Sequence, residues 1–171
     1  MRVVVGADHA GFELKVPIVE QLKAAGHTPL DVGTHNDDPV DYPDLAREVA
    51  QAILGGKADL GIMICGSGVG GAVAANKFPG IRAGLCHDTY SARQGREDDD
   101  VNVLCLGARV VGRALAQDIV KTWLAASFSG LPRHRRRLEK IAAIEKEFSG
   151  GNTKPSSRIP EPGRTAPLKT K

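Results

Sequence analysis

Cys65 closes a short apolar run and is followed at once by Gly66-Ser67-Gly68-Val69-Gly70-Gly71. A thiolate is both a nucleophile and a proton acceptor, and a loop of bare backbone N–H groups opening a helix favours negative charge beside it. The same position also suits a small buried apolar residue, the ordinary fate of a lone cysteine in a strand. Asp8 and His9 stand in a turn bounded by Gly6 and Gly11, placed either to reach the same crevice as Cys65 or only to shape the turn. His87-Asp88 offers a second acid pair or a helix cap. Glu97-Asp98-Asp99-Asp100 crowds carboxylates together, which favours protonation of one of them. In Pro132-Arg133-His134-Arg135-Arg136-Arg137, Arg133 and Arg137 share one side of a helix, a spacing that serves a phosphate clamp or a solvated face.

These residues must be held by something. Short apolar runs at Val3–Gly6, Thr28–Val32, Leu60–Cys65, Ala83–Cys86 and Val101–Leu106 read as five strands. Stretches of helical period lie between and after them. Phe12, Leu14, Ile18, Val19 and Leu22 form the first, stopped by Gly26, with Pro17 required to sit in the first turn or kink the helix. The others are Asp44–Leu54, Val69–Lys77, Thr89–Glu97, Arg113–Ala126 and Arg135–Phe148. The alternation predicts an α/β fold, a three-layer open sheet of five parallel strands, Rossmann-like, with a C-terminal helix. Ligands of such sheets bind beyond the carboxyl ends of the strands, where Asp8-His9, Cys65 and its loop, and His87-Asp88 all fall. Asp41-Tyr42-Pro43-Asp44 places Tyr42 near that crevice, or serves only as a helix entry capped by Asp44.

Composition narrows the class. A chain of 171 residues holds one ordinary domain, expected over 1–148, followed by a disordered, basic, proline-rich tail over 149–171. The tail's five cations against Glu161 leave it at +4 of the net +3, so the body carries −1. That balance is not the cationic face of a nucleic-acid binder. No apolar run approaches a membrane span, and the start lacks a signal-peptide layout, so a cytoplasmic protein is expected. Three widely spaced cysteines with no Cys-x-x-Cys pair give neither a disulfide scaffold nor zinc spacing, and no metal is expected. Cys86 and Cys105 read as core. The loop after Cys65 matches Gly-x-Gly-x-x-Gly literally, with Asp88 as the distant acid, but it follows the third strand rather than the first, and it has no Gly-Lys-Ser/Thr ending. A dinucleotide is therefore a weak reading.

The strings GADHAGFELK, DYPD, ICGSGVGGAVAANKFPGIRAGLCHDTYSA, NVLCLGARVVG and PRHRRRLEKIAAIE occur in that order. Together they resemble the type B ribose-5-phosphate isomerases and their galactose-6-phosphate and allose-6-phosphate relatives, over roughly 1–147. The resemblance implies aldose–ketose isomerisation of a phosphorylated sugar through a cis-enediolate, with no cofactor. It makes Cys65 the base between C1 and C2, and the Gly66, Gly68, Val69 and Gly70 amides the oxyanion stabilisers. Ser67 becomes a relay for the second proton. Asp8, His9, Asp99, Arg109, Arg133 and Arg137 match substrate or phosphate positions. The resemblance further implies a homodimer, or a dimer of dimers, with the site completed across the interface.

One departure stands out. The family commonly carries a ring-opening histidine where this chain has Asp98. Three readings are open. Asp98, or nearby His87, opens the ring of ribose 5-phosphate. Alternatively the substrate is a tetrose phosphate such as erythrose or erythrulose 4-phosphate, whose blocked O4 forms no furanose. In the third reading catalysis is lost and a sugar-phosphate binding module remains.

Overall fold

The structure, a computed structural model, describes residues 1–149. The expected tail lies outside the described residues, except for Ser149, which ends the last helix. The element order is β1 (Arg2–Ala7), α1 (Phe12–Ala24), β2 (Thr28–Asp31), α2 (Tyr42–Leu54), β3 (Leu60–Cys65), α3 (Val69–Ala75), β4 (Ala83–Leu85), α4 (Thr89–Asp99), β5 (Val103–Gly107), α5 (Arg113–Ala125) and α6 (Pro132–Ser149). All strand pairs are parallel, in the order β2-β1-β3-β5-β4. The expected five-stranded α/β sheet is present.

Strand side chains alternate between two cores, as a pleat requires. Val3, Val5, Leu60, Ile62, Ile64, Leu104 and Leu106 meet Leu14, Ile18 and Leu22 of α1 and Ala116, Ile119, Val120 and Trp123 of α5. On the other face Val4, Met63, Val103 and Cys105 meet Ala46, Val49 and Ala50 of α2 and Ala75 of α3. Helices thus cover both faces, and the chain reverses direction across the sheet between β1 and β3. That switch point opens a crevice at the carboxyl ends of the two strands.

Three local expectations change. Pro17 sits beyond the first turn of α1, where its ring removes one interior hydrogen bond. Asp44 is not the cap of α2: the helix starts at Tyr42, with Asp41 as an extended N-cap and proline in the first turn, where its fixed φ fits. The acidic triplet is helical rather than a lead-in to β5. Asp98 and Asp99 finish α4, and Asp100 caps it in the left-handed conformation (φ 46°), which aspartate tolerates. Val101 N–H then donates to Gly95 O at 3.1 Å, so Val101 closes the helix and β5 begins at Val103.

Candidate active site

At the switch point lies a cleft of about 530 Å³ lined by Asp8, His9, Tyr42, Cys65, Gly66, Ser67, Val69, Gly70 and Arg109, with Ala10 and Val110 at its edge. Cys65 ends β3 and is 4% exposed. A Cβ placed on Gly71 would lie 3.6 Å from its Sγ, which puts the thiol against the first turn of α3. Gly68 caps that helix at φ 78°, with Leu85 and the Leu106 backbone too close for any side chain. The loop therefore needs glycine there. Ala108 N–H donates to Cys65 O and Arg109 N–H to Gly66 O, both at 2.9 Å, pinning the loop to the segment after β5. The Arg109 side chain in turn lies over Gly66.

The opposite wall comes from β1. Asp8 is buried, and its Oδ1 accepts from Gly11 N–H at 3.0 Å. The Val40 amide donates to His9 Nδ1 at 3.3 Å, so a neutral imidazole carries its proton on Nε2. The loop that carries Val40 is fastened by a buried ammonium. Lys15 Nζ donates to Asp31 Oδ1, Gly33 O and Thr34 O, each at 2.7 Å. Tyr42 packs its ring against Gly70 and closes the third side.

The three thiols differ in setting. Burial, with Asp88 nearby, pushes the Cys86 thiol up to about 11. Burial raises Cys105 as well. Both are therefore protonated packing residues at neutral pH. Asp88 caps α4 by accepting from Ser91 N–H at 2.7 Å, and those bonds lower its pKa. It serves the helix rather than a distant ribose. His87 Nε2 accepts from Gly107 N–H at 3.2 Å, and His87 does not line the cleft. Among the described residues no group of three or more His, Cys, Asp or Glu side chains converges on a metal position. No helix among them is long and apolar enough to cross a membrane.

The remaining expected site residues, Asp98, Asp99, Arg133 and Arg137, do not line the Cys65 cleft of their own chain. Their carboxylates also diverge rather than crowd. Asp98 accepts from Gln94 Nε2 at 2.9 Å and faces His134 Nδ1 at 3.2 Å. Asp100 is paired with Arg82 at 2.6 Å and with Arg96. Asp99 borders a separate groove with Arg82 and Glu145. Two residues that matter to this geometry carried little weight in the sequence. Tyr42 suits a helix entry as well as a cleft wall, since Pro43 marks the start of the helix but not the direction in which its first residue faces. His134 was submerged in a run of arginines.

The model of the Ribose/Galactose Isomerase family matches residues 3–141. The chain belongs to the ribose/galactose isomerase family. It is thereby an aldose–ketose isomerase by class. Ribose-5-phosphate isomerase B of Escherichia coli is 49% identical over 144 residues, 84% of this chain and 96% of that protein. D-erythrulose-4-phosphate isomerase of Pectobacterium atrosepticum is 43% identical over 147 residues, 85% of this chain and 95% of its own length. The structure of Clostridium thermocellum ribose-5-phosphate isomerase B is 51% identical, with a TM-score of 0.85, covering 86% of this chain and 99% of that one. The span shared with the ribose/galactose isomerase family includes both the Cys65 cleft and the Asp98 edge.

Proposed function

We propose that the chain interconverts ribose 5-phosphate and ribulose 5-phosphate through a cis-enediolate, with Cys65 as base. The observation that carries this reading is the position of the Cys65 thiol on the floor of a cleft walled by the Gly66–Gly70 loop, Asp8, His9, Tyr42 and Arg109. In the open-chain aldose the Cys65 thiolate takes the proton from C2, and the electron pair moves into the C1–C2 bond as charge develops on O1. The amides of the Gly66–Gly70 loop are the donors in this reading for that oxygen, and such fixed dipoles stabilise developing charge without reorganising. The thiol returns the proton to C1, while Ser67 relays the second proton from O2 to O1.

The working unit is a homodimer, alone or paired into a tetramer, in which Asp98, Asp99, Arg133 and Arg137 of one copy complete the cleft of the other. Support comes from large apolar side chains that are exposed among the described residues. Ile141, Ile144 and Phe148 are exposed on α6, and Val69, Val73 and Val110 are exposed around the cleft. Isolated apolar side chains are ordinary on a surface, whereas clusters on two faces mark an interface. In this arrangement Asp98 is the group that opens the sugar ring, and Arg133 and Arg137 bind the phosphate. Such a phosphorylated substrate and three free thiols suit the reducing cytoplasm.

Asp98 in place of a ring-opening histidine, together with the erythrulose-4-phosphate relative, favours a second reading in which the substrate is a tetrose phosphate that never cyclises. A coupled isomerase assay on the purified chain, comparing ribose 5-phosphate with erythrulose 4-phosphate and including Cys65→Ala, tests both. Pentose turnover that disappears in the variant is the expected result. Turnover of the tetrose alone selects the second reading. Binding of both sugar phosphates without turnover would leave only a binding module.

A further inference from the structure

His134 is 1% exposed, although Arg133, Arg135, Arg136 and Arg137 beside it all face solvent. Its burial comes from the packing of α6 on the end of α4. Arg133 Nε donates to His134 Nε2 at 2.8 Å. A guanidinium does not lose its proton, so Nε2 is bare and the single imidazole proton sits on Nδ1. That proton is directed to Ser129 Oγ at 2.8 Å, and Asp98 Oδ1 stands 3.2 Å from the same nitrogen, in charge contact rather than hydrogen bonded. Ser129 is itself tied to α4 by donating its N–H to Glu97 O at 2.9 Å. The ring therefore accepts from one side chain on α6, donates to Ser129, and turns its N–H edge to the Asp98 carboxylate of α4, with its tautomer set by the guanidinium.

We propose that His134 is a positioning residue that sets Asp98 and Arg133 at a fixed separation, so that the ring-opening group and one phosphate ligand are presented to the substrate as a unit. The proposal rests on the reading of Asp98 and Arg133 as substrate groups. Its physical basis is that a long guanidinium and an aspartate on different helices each sample several rotamers unless a buried partner selects one. A buried imidazole that accepts from Arg133 at one nitrogen and faces the Asp98 carboxylate at the other does this for two side chains at once, whereas a solvated histidine in an arginine run would do it for neither.

Two substitutions separate the two contacts. An asparagine at this position keeps an N–H near the place of Nδ1 and loses the acceptor for Arg133, whereas a glutamine keeps an acceptor near the place of Nε2 and loses the N–H that faces Asp98. Steady-state kinetics on the full chain with ribose 5-phosphate, and erythrulose 4-phosphate in parallel, should show His134→Asn raising KM about tenfold at nearly constant kcat, and His134→Gln lowering kcat about tenfold at nearly constant KM. Wild-type kinetics in both variants, or losses that merely follow a lowered Tm in both, would overturn the proposal. Asp98→Asn, measured alongside, keeps the two levels apart. Unchanged kcat in that variant refutes the role of Asp98 itself, whereas reduced kcat there with normal His134 variants refutes only the positioning. If neither His134 variant folds, a long-range 1H–15N correlation on the unaltered protein decides. A proton on Nδ1 and none on Nε2 supports the arrangement, and a proton on Nε2 overturns it.

Discussion

The Cys65 cleft and the Asp98–His134–Arg133 edge are built by different means. The cleft grows out of strand ends, where backbone pairing between β1, β3 and β5 fixes where Asp8, Cys65 and the glycine loop stand. The edge grows out of helix ends, where Asp98 and the cap Asp100 stand at the unfavourable end of the α4 dipole and are compensated by His134 and by Arg82 and Arg96 respectively. One region is a concave pocket in a single chain. The other lies outside that pocket, with Asp98, Arg133 and Arg137 all absent from its lining. The contrast teaches that the strand scaffold holds the proposed proton-transfer chemistry, while the groups proposed to recognise the substrate are carried on helices that, under the same proposal, reach a second copy.

The largest expected effect removes the cleft's chemistry alone. Cys65→Ala should lower kcat with ribose 5-phosphate by about 10³-fold or more while Tm stays close to wild type, because the thiol is proposed to carry the proton rather than to be a major packing element. An equal fall in Tm would break the comparison. Next, co-expression of Cys65→Ala with Asp98→Asn tests whether the two regions meet across chains. Random pairing makes half of the dimers mixed, each with one intact site, so activity should return to about a quarter of wild type. Activity no higher than that of the better single variant would place both groups in one chain. Smaller again is Gly107→Ala, whose Cβ would meet Ser67 O at 2.6 Å. Backbone cannot yield cheaply there, so a loss of about 1–3 kcal/mol is expected in denaturant unfolding, with reduced turnover as the loop shifts.

The smallest effect separates the cleft thiol from a packing thiol. Cys86 is raised from its ordinary 9.0 to about 11 by burial. The folded form then holds its proton between these values while the unfolded form releases it. Stability from this group is complete below pH 9 and declines as pH rises toward 11. Thermal melts over that window should show a shallower alkaline decline in Cys86→Ala than in wild type.

Much of the strand-built region was legible in the sequence, because apolar runs of four to six residues between glycines have few other solutions. Leu60–Cys65 was placed to the residue, and the cleft's Asp8, His9, Cys65 and Arg109 do come together. The helix-built region was less legible for a physical reason. Whether Asp98 ends a helix or begins a strand depends on Asp100 adopting a left-handed cap, stabilised by Arg82 from another segment. The burial of His134 is likewise a long-range result of α6 lying on α4. Neither leaves a local pattern. Tyr42 falls between the two, with a helix start visible in Pro43 but its direction set only by the sheet order.

The strand order has a consequence for how the chain comes into being. Synthesis delivers β1, β3 and β5 by residue 107 and the loop anchors Ala108 and Arg109 directly after, so the thiol-bearing floor can be assembled before α6 is made. α6, which buries His134, emerges among the last of the described residues. A nascent or C-terminally shortened chain would therefore possess the floor without the edge, and under the proposed reading full competence arrives only when late-made helix and second copy are both in hand.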